Sequence, residues 1–598
     1  MSPPPSADDA SGTPTPEPLP PSRFLPTLSF GEWLVFAILA GVIAATNIYS
    51  TLLIGWGDTG SIIAVLAATL MLGVISKNKP SVHTLNLGQT MVSAGGSVGF
   101  AVASYAAVHI LEPDWDPSWP MLMTLFAGMG TLGAIIGSTV RKSMVRYFFP
   151  SGTACAVIQK AVTKEPAPGE RNRPLFMLKL WGSIAALLTI PTKISTREDG
   201  SAMVSDVTFS NGVGLGVDPL YYGIGIVVGP RVGIGMLLGA LATPFWITPA
   251  LEGTVHEAAT GDWVRWIAIA VLTLPTFATI VYAYLFRTPP VIPPGFTPGA
   301  TGYTPPTNRT SFMAFLGVIA ALVVGYCAES IFGIPWQATI VTMAIAWPMC
   351  IVNGRVTGDT DINPVRLVAV VILSGFFWLI DSGATTLLGM AVVGGTLAAV
   401  AVDMMQDYRT GYLVDADPVQ QTTVQFFGTV VGAIVSVPVL VLLLGELGIG
   451  MGSSLPAPGA QVWAAMADTM TGGFEPSDQL IQAVLAVSVV GSAYAYLTVW
   501  PKTSRWMPSI FGMGIGMLVG IAPSAAIFVG GLIKGVVSFF YTSGKTGEAR
   551  IDAAQEAGND TMLAGASIFA AGAVLAILLV MSTKLLDVFG LDWFTIAH

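Results

Sequence analysis

The chain has 598 residues, of which 53% are hydrophobic and only 10% charged. Soluble proteins carry about 25% charged residues, so there is too little charge to coat a water-facing surface of this size, and a soluble multidomain enzyme is excluded. The formal net charge of −9 provides no basic footprint, so nucleic acid is not expected as a partner.

Residues 1–28 are rich in Pro, Ser and Asp. They cannot bury a core and are expected to form a disordered cytoplasmic tail. They do not read as a signal peptide, because they lack a basic n-region and the first apolar run begins only near Trp33. Residues 29–598 read as one polytopic membrane domain with approximate halves 29–310 and 311–598. A crossing helix needs about 20 apolar residues. Apolar segments start near Trp33, Gly60, Met91, Met121, Leu175, Leu220, Trp263 and Phe312, then near Pro335, Arg366, Thr385, Thr422, Leu480, Ser509, Ser524 and Met562. The expected fold is an all-α bundle of about 14–16 transmembrane segments, some of them broken or re-entrant. Basic residues cluster after several segments, among them Lys77 and Lys79, then Arg141, Lys142 and Arg146. Placing those loops in the cytoplasm puts the N-terminus inside a plasma (inner) membrane. Lys193 and Arg197 fall on the outer side in this scheme.

Four interruptions suggest backbone exposed at membrane depth, which is tolerated only beside a cavity. The first runs from Gln89 to Ser97, with Thr90 and Ser93 inside it. The second is Phe149-Pro150-Ser151-Gly152-Thr153-Ala154, where Pro with Ser beside it marks a helix start whose free N–H groups suit a carboxylate. The segments Asp468-Thr469-Met470-Thr471-Gly472-Gly473 and Met507-Pro508-Ser509-Ile510-Phe511-Gly512 echo these two in the same order, a pseudo-symmetric internal repeat. Close helix packing through small residues is the competing explanation for each. Tyr221, Tyr222 and Trp336 are candidate apolar walls with polar tips.

Carboxylates inside apolar runs are costly and suggest ion coupling. Asp58 interrupts one such run. Asp403 and Asp407 are four apart and share a helical face. Glu329 and Asp381 read as residues at span ends, and Arg409 as a surface partner of Asp407. Three scattered Cys and four scattered His suggest neither a disulfide framework nor a metal cage, and no HExxH motif is present. No resident cofactor or metal is therefore expected, and neither a membrane enzyme nor a channel is favoured.

Two segments carry a family resemblance. Tyr147-Phe148-Phe149-Pro150-Ser151-Gly152-Thr153-Ala154 is similar to a PSGTA segment, and Asp403-Met404-Met405-Gln406-Asp407-Tyr408-Arg409-Thr410-Gly411-Tyr412-Leu413 to a D-x-x-Q-D-[FY]-[KR]-T-G-Y segment, of the oligopeptide transporter family. That family includes the yellow stripe-like metal-chelate transporters. Ser93 to Phe100 and Thr357 to Pro364 also fit the family, the latter resembling a G-E-T-D-I-x-P stretch of its prokaryotic members. The resemblance implies a proton-driven secondary transporter with duplicated halves, working as a homodimer. Its implied substrates are short peptides or metals held by small carboxylate-rich chelators. The SPYxEVR, NPG and KIPPR signatures of the eukaryotic peptide-transporting branch are absent. The combined expectation is a symporter importing short oligopeptides, with metal-chelate import as the alternative. Gln89, Thr90, Ser93, Ser151, Gly152, Thr153, Tyr221, Tyr222, Trp336, Asp468, Thr469 and Ser509 are the candidate substrate contacts. Asp58, Asp403 and Asp407 are the candidate proton carriers.

Overall fold

The structure is a computed structural model. It describes residues 25–598 except 56–60, 76–79, 148, 164–172, 196–202, 205, 210–212, 252–259, 286–306, most of 361–381, 451–452, 473–474, 476, 505, 589–594 and 597–598.

The described chain is almost wholly helical. In order the helices are α1 (Phe30–Ile54), α2 (Ser61–Ile75), α3 (Val82–Ser97), α4 (Val102–Leu111), α5 (Trp119–Met144), α6 (Pro150–Thr163) and α7 (Arg173–Lys193). There follow α8 (Pro219–Val228), α9 (Pro230–Ala242), α10 (Thr248–Leu251), α11 (Thr260–Leu272), α12 (Leu274–Leu285), α13 (Thr307–Phe332) and α14 (Trp336–Thr360). The last are α15 (Ala384–Leu413), α16 (Pro418–Leu447), α17 (Pro458–Met470), α18 (Asp478–Val499), α19 (Ile510–Val519), α20 (Ile521–Thr542) and α21 (Gly547–Val588). Twelve helical stretches among the described residues are long and apolar enough to cross a membrane, and Ile63–Gly73, Pro219–Val228 and Ile510–Val519 are shorter apolar helices. An all-α polytopic membrane protein is the result.

The helix ends follow local chemistry. Ser29 and Glu32 form a reciprocal capping box at α1, and Gly55 ends that helix in the left-handed region with φ 70°. Asp218 caps α8, with Pro219 at its first position. Ser509 caps α19 by accepting from the Gly512 amide.

The helices sort into two bundles that touch each other only sparsely. One holds α1–α6 and α13–α17, the other α7–α12 and α18–α21, with α1 against α21 as the main seam. Each half of the sequence therefore contributes to both bundles. The second bundle contains a matched pair of broken helices. The α8–α9 break at Gly229 has φ 83° and ψ 176°, and the α19–α20 break at Gly520 has φ 92° and ψ 179°. The two pairs pack across one another, with Gly225 against the Ile527 carbonyl and Gly531 against Gly229 and Pro230.

Only Gly occupies that backbone region without strain. A Cβ at Gly520 would meet no atom within 4 Å, so Gly520→Ala isolates the backbone term. We expect it to destabilise by about 1–3 kcal/mol, read as a lower melting midpoint in detergent.

One expected break is absent. Gln89 to Ser97 lies inside continuous α3, and only a short 3-10 turn, Val98–Ala101, separates α3 from α4. The glycines there serve packing instead: Gly95 faces the Ala40 carbonyl of α1, while Gly428 and Gly432 of α16 face the Met91 and Gly95 carbonyls.

Candidate functional site

Helix α15 is buried along most of its length, and α3 lies against it. Asp403 is 2% exposed and Asp407 0%. Their four-residue spacing aims both carboxylates at α3. On α3, Asn86, Gln89, Thr90 and Ser93 recur at helical spacing and form a polar stripe in which all four are buried. Ser93 Oγ donates to Asp403 Oδ1 at 2.8 Å, and Gln89 Nε2 donates to Asp407 Oδ1.

The cluster extends beyond these four. Gln89 Nε2 also reaches Ser61 Oγ of α2 at 3.2 Å, and Ser61 Oγ donates to Ser93 Oγ at 3.3 Å. Gln159 Nε2 of α6 donates to Gln89 Oε1 at 3.5 Å. From α16, Gln421 Nε2 donates to the Asp407 carbonyl at 2.9 Å and contacts Thr90 Oγ1 at 3.4 Å. The amide heads of Asn86 and Gln425, both fully buried, have no hydrogen-bond partner among the described residues. Buried amides in that state mark places where water or a polar solute is needed. Five helices thus converge on two carboxylates, each of which accepts from a neutral donor on α3.

The segments that carried the resemblance meet beside this cluster. Thr410 Oγ1 donates to the Gly152 carbonyl at 2.9 Å, and a Cβ at Gly152 would come within 2.8 Å of the Gln406 carbonyl. Phe149 N–H donates to the Gly358 carbonyl at 2.8 Å. Pro150 does open α6, as its sequence indicates, and Ser151 and Thr153 lie in its first turn, with Thr153 and Gly152 buried against this layer. Arg409 is not paired with Asp407: it is buried, donates to the Val145 carbonyl at 2.8 Å and lies over the Tyr412 ring.

Other sequence candidates lie elsewhere. Trp336 is 58% exposed at the start of α14. Gly354 of the same helix abuts Met405, which puts Trp336 about 27 Å along the axis from the carboxylate layer. Asp468 and Thr469 form the last turn of α17 and bond to no member of the cluster. Ser509 belongs to the second bundle, where its backbone packs on Gly235. Tyr221 and Tyr222 open α8, and Tyr222 donates to the Gly216 carbonyl at 2.8 Å. Glu329 is exposed near the end of α13, as expected. Asp58 and Asp381 lie outside the described residues. Ser61, Gln159, Gln421, Asn86 and Gln425 were not singled out from sequence, although amides inside apolar helices are themselves a signal.

Comparison with known proteins agrees with this architecture. The family model for the OPT oligopeptide transporter protein matches residues 27–292 and 308–583. A rice protein named a probable metal-nicotianamine transporter, YSL13 of Oryza sativa subsp. japonica, is 29% identical over 226 residues, covering 36% of this chain and 31% of its own. A Haemophilus influenzae protein, provisionally named an oligopeptide transporter, is 23% identical over 451 residues, 66% of this chain and 70% of its own. The iron-phytosiderophore transporter yellow stripe 1 of Zea mays is 27% identical over 230 residues, 37% of this chain and 33% of its own. The aligned region spans about a third of the length of these plant relatives. With the family model matched along most of its length, the chain belongs to the OPT oligopeptide transporter family, and its twelve long apolar helices make it a multi-pass membrane protein.

Proposed function

We propose that this transporter is a proton symporter that imports short peptides, and that Asp403 and Asp407 carry the coupling protons. The observation behind this reading is the buried carboxylate pair, each member of which accepts from a neutral donor. Charge in such surroundings is expensive, and a proton is the smallest cation that removes it. Ser93, Gln89 and Gln421 give the carboxylates and the adjacent backbone fixed partners. The sparse seam between the bundles is the natural place for a solute to pass, because few contacts must be remade there. A plasma-membrane location with the N-terminus in the cytoplasm, and a homodimeric state, complete the proposal.

A second reading is import of metal chelates, favoured by the similarity to plant proteins named for metal-nicotianamine and iron-phytosiderophore transport. Peptides and such chelates both present carboxylates and amines. Proteoliposomes with an imposed inward proton gradient distinguish the two. Concentrative uptake of labelled di- to tetrapeptides, abolished by a protonophore, is expected. Uptake restricted to iron chelates replaces the first reading by the second. Uptake of either class unaffected by collapsing the gradient overturns proton coupling.

A further inference from the structure

The inner face of the second bundle holds an ion pair that the coupling site does not use. Lys193 ends α7, and its Nζ lies 2.8 Å from Asp218 Oδ2. The lysine side chain is 22% exposed and the aspartate 6%. Asp218 is fixed, because Oδ1 accepts from the Leu220 amide at 2.9 Å as the cap of α8. Lys193 Nζ also lies 5.9 Å from the ring centroid of Tyr49, which belongs to α1 in the other bundle. Tyr221, within electrostatic reach of both charges, completes the surround. The backbone on either side of Lys193 is tied down. Val204 N–H donates to the Pro191 carbonyl, and Ile194–Ser195 pairs antiparallel with Thr595–Ile596 near the C-terminus.

An ion pair taken this far from water returns little net stability. Its two ends are complementary to a solute that carries both charges. A free carboxylate can replace Asp218 on the ammonium, and a free ammonium can replace Lys193 on the carboxylate. In the resulting complex both charges are paired again. The lysine stem is flexible while Asp218 is held by the helix end, so the pair can open on one side to admit the solute. Tyr49 and Tyr221 supply apolar walls with polar tips, and the site touches both bundles at their seam.

We propose that Lys193 and Asp218 form the recognition site for the free carboxylate and free ammonium of a zwitterionic substrate, with Lys193 holding the carboxylate and Asp218 the amine. This inference rests on the transport reading above and sharpens it to solutes with two free ends.

The test uses purified full-length protein in proteoliposomes with trialanine, N-acetyl-trialanine and trialanine amide. Wild type is expected to prefer trialanine to either blocked peptide by at least ~10-fold in uptake, worth about 1.4 kcal/mol. Lys193→Gln is expected to erase the preference against the amide while keeping that against the N-acetyl peptide. Asp218→Asn is expected to do the reverse. Lys193→Arg, which keeps the charge, retains both preferences and serves if Lys193→Gln does not fold. Uniform loss of all three uptakes, or end preferences unchanged in both neutral variants, reduces the pair to a structural contact and overturns the site alone. Wild type that takes up no peptide and no metal chelate overturns the transport reading, and the site with it.

Discussion

Asp407→Asn is expected to abolish gradient-driven accumulation while leaving a folded protein that still exchanges solute. The substitution is nearly isosteric. It keeps an oxygen for the Gln89 donor and leaves the Gln421 bond to the Asp407 carbonyl untouched. It removes the ability to gain or lose a proton. Uptake against a gradient should fall by more than ~10-fold, and its dependence on external pH should flatten. Counterflow, in which labelled and unlabelled solute exchange with no net proton movement, should persist. Asp403→Asn should behave in the same way, because Ser93 still has an acceptor. Melting midpoints should stay near wild type, since the hydrogen bonds are preserved and one buried charge is lost. Wild-type accumulation in both variants would remove the pair from coupling.

Gly428→Val is expected to cause the largest loss of stability of any single methyl-bearing substitution on α16. A Cβ there would lie 2.1 Å from the Met91 carbonyl oxygen and 2.7 Å from the Ala94 side chain. The backbones of α3 and α16 would have to part. Overpacking of this kind costs about 1–3 kcal/mol, occasionally more, and here it also pulls Gln421 from Thr90 and Asp407. Gly445 supplies the control on the same helix, because a Cβ there meets nothing within 4 Å. Gly445→Ala should be neutral or slightly stabilising through helix propensity. Thermal unfolding of the two variants in one detergent reads the contrast. Equal midpoints would show that the α3–α16 contact is looser than its geometry indicates.

The legibility of the sequence differed between the fold and the site. Apolar run length is a local property, and so is a helix start such as Pro150 with Ser151 beside it. These were readable without any partner. The Asp403–Asp407 spacing was readable too, since four residues on a helix share a face wherever the helix lies. The Gly-rich stretch from Gln89 to Ser97 misled, because a glycine permits both a break and a close approach. Only the neighbour decides which, and here the Ala40 carbonyl and the Gly428 and Gly432 contacts of α16 fill the space a break would have opened.

The sequence by itself determined that this chain lives in a membrane and that two carboxylates sit one turn apart on one helix, whereas the starts read near Met91 and Met562 fall inside α3 and α21. Tertiary structure alone decided what those carboxylates face, because Ser61, Gln89, Gln159 and Gln421 come from four different helices. It also decided that Lys193 and Asp218, separated by a loop, meet beside Tyr49. The physical reason is that hydrogen bonds and ion pairs depend on distances of a few ångströms between side chains. Hydropathy and helical period fix where each side chain stands along its own axis, but not which other axis is packed against it.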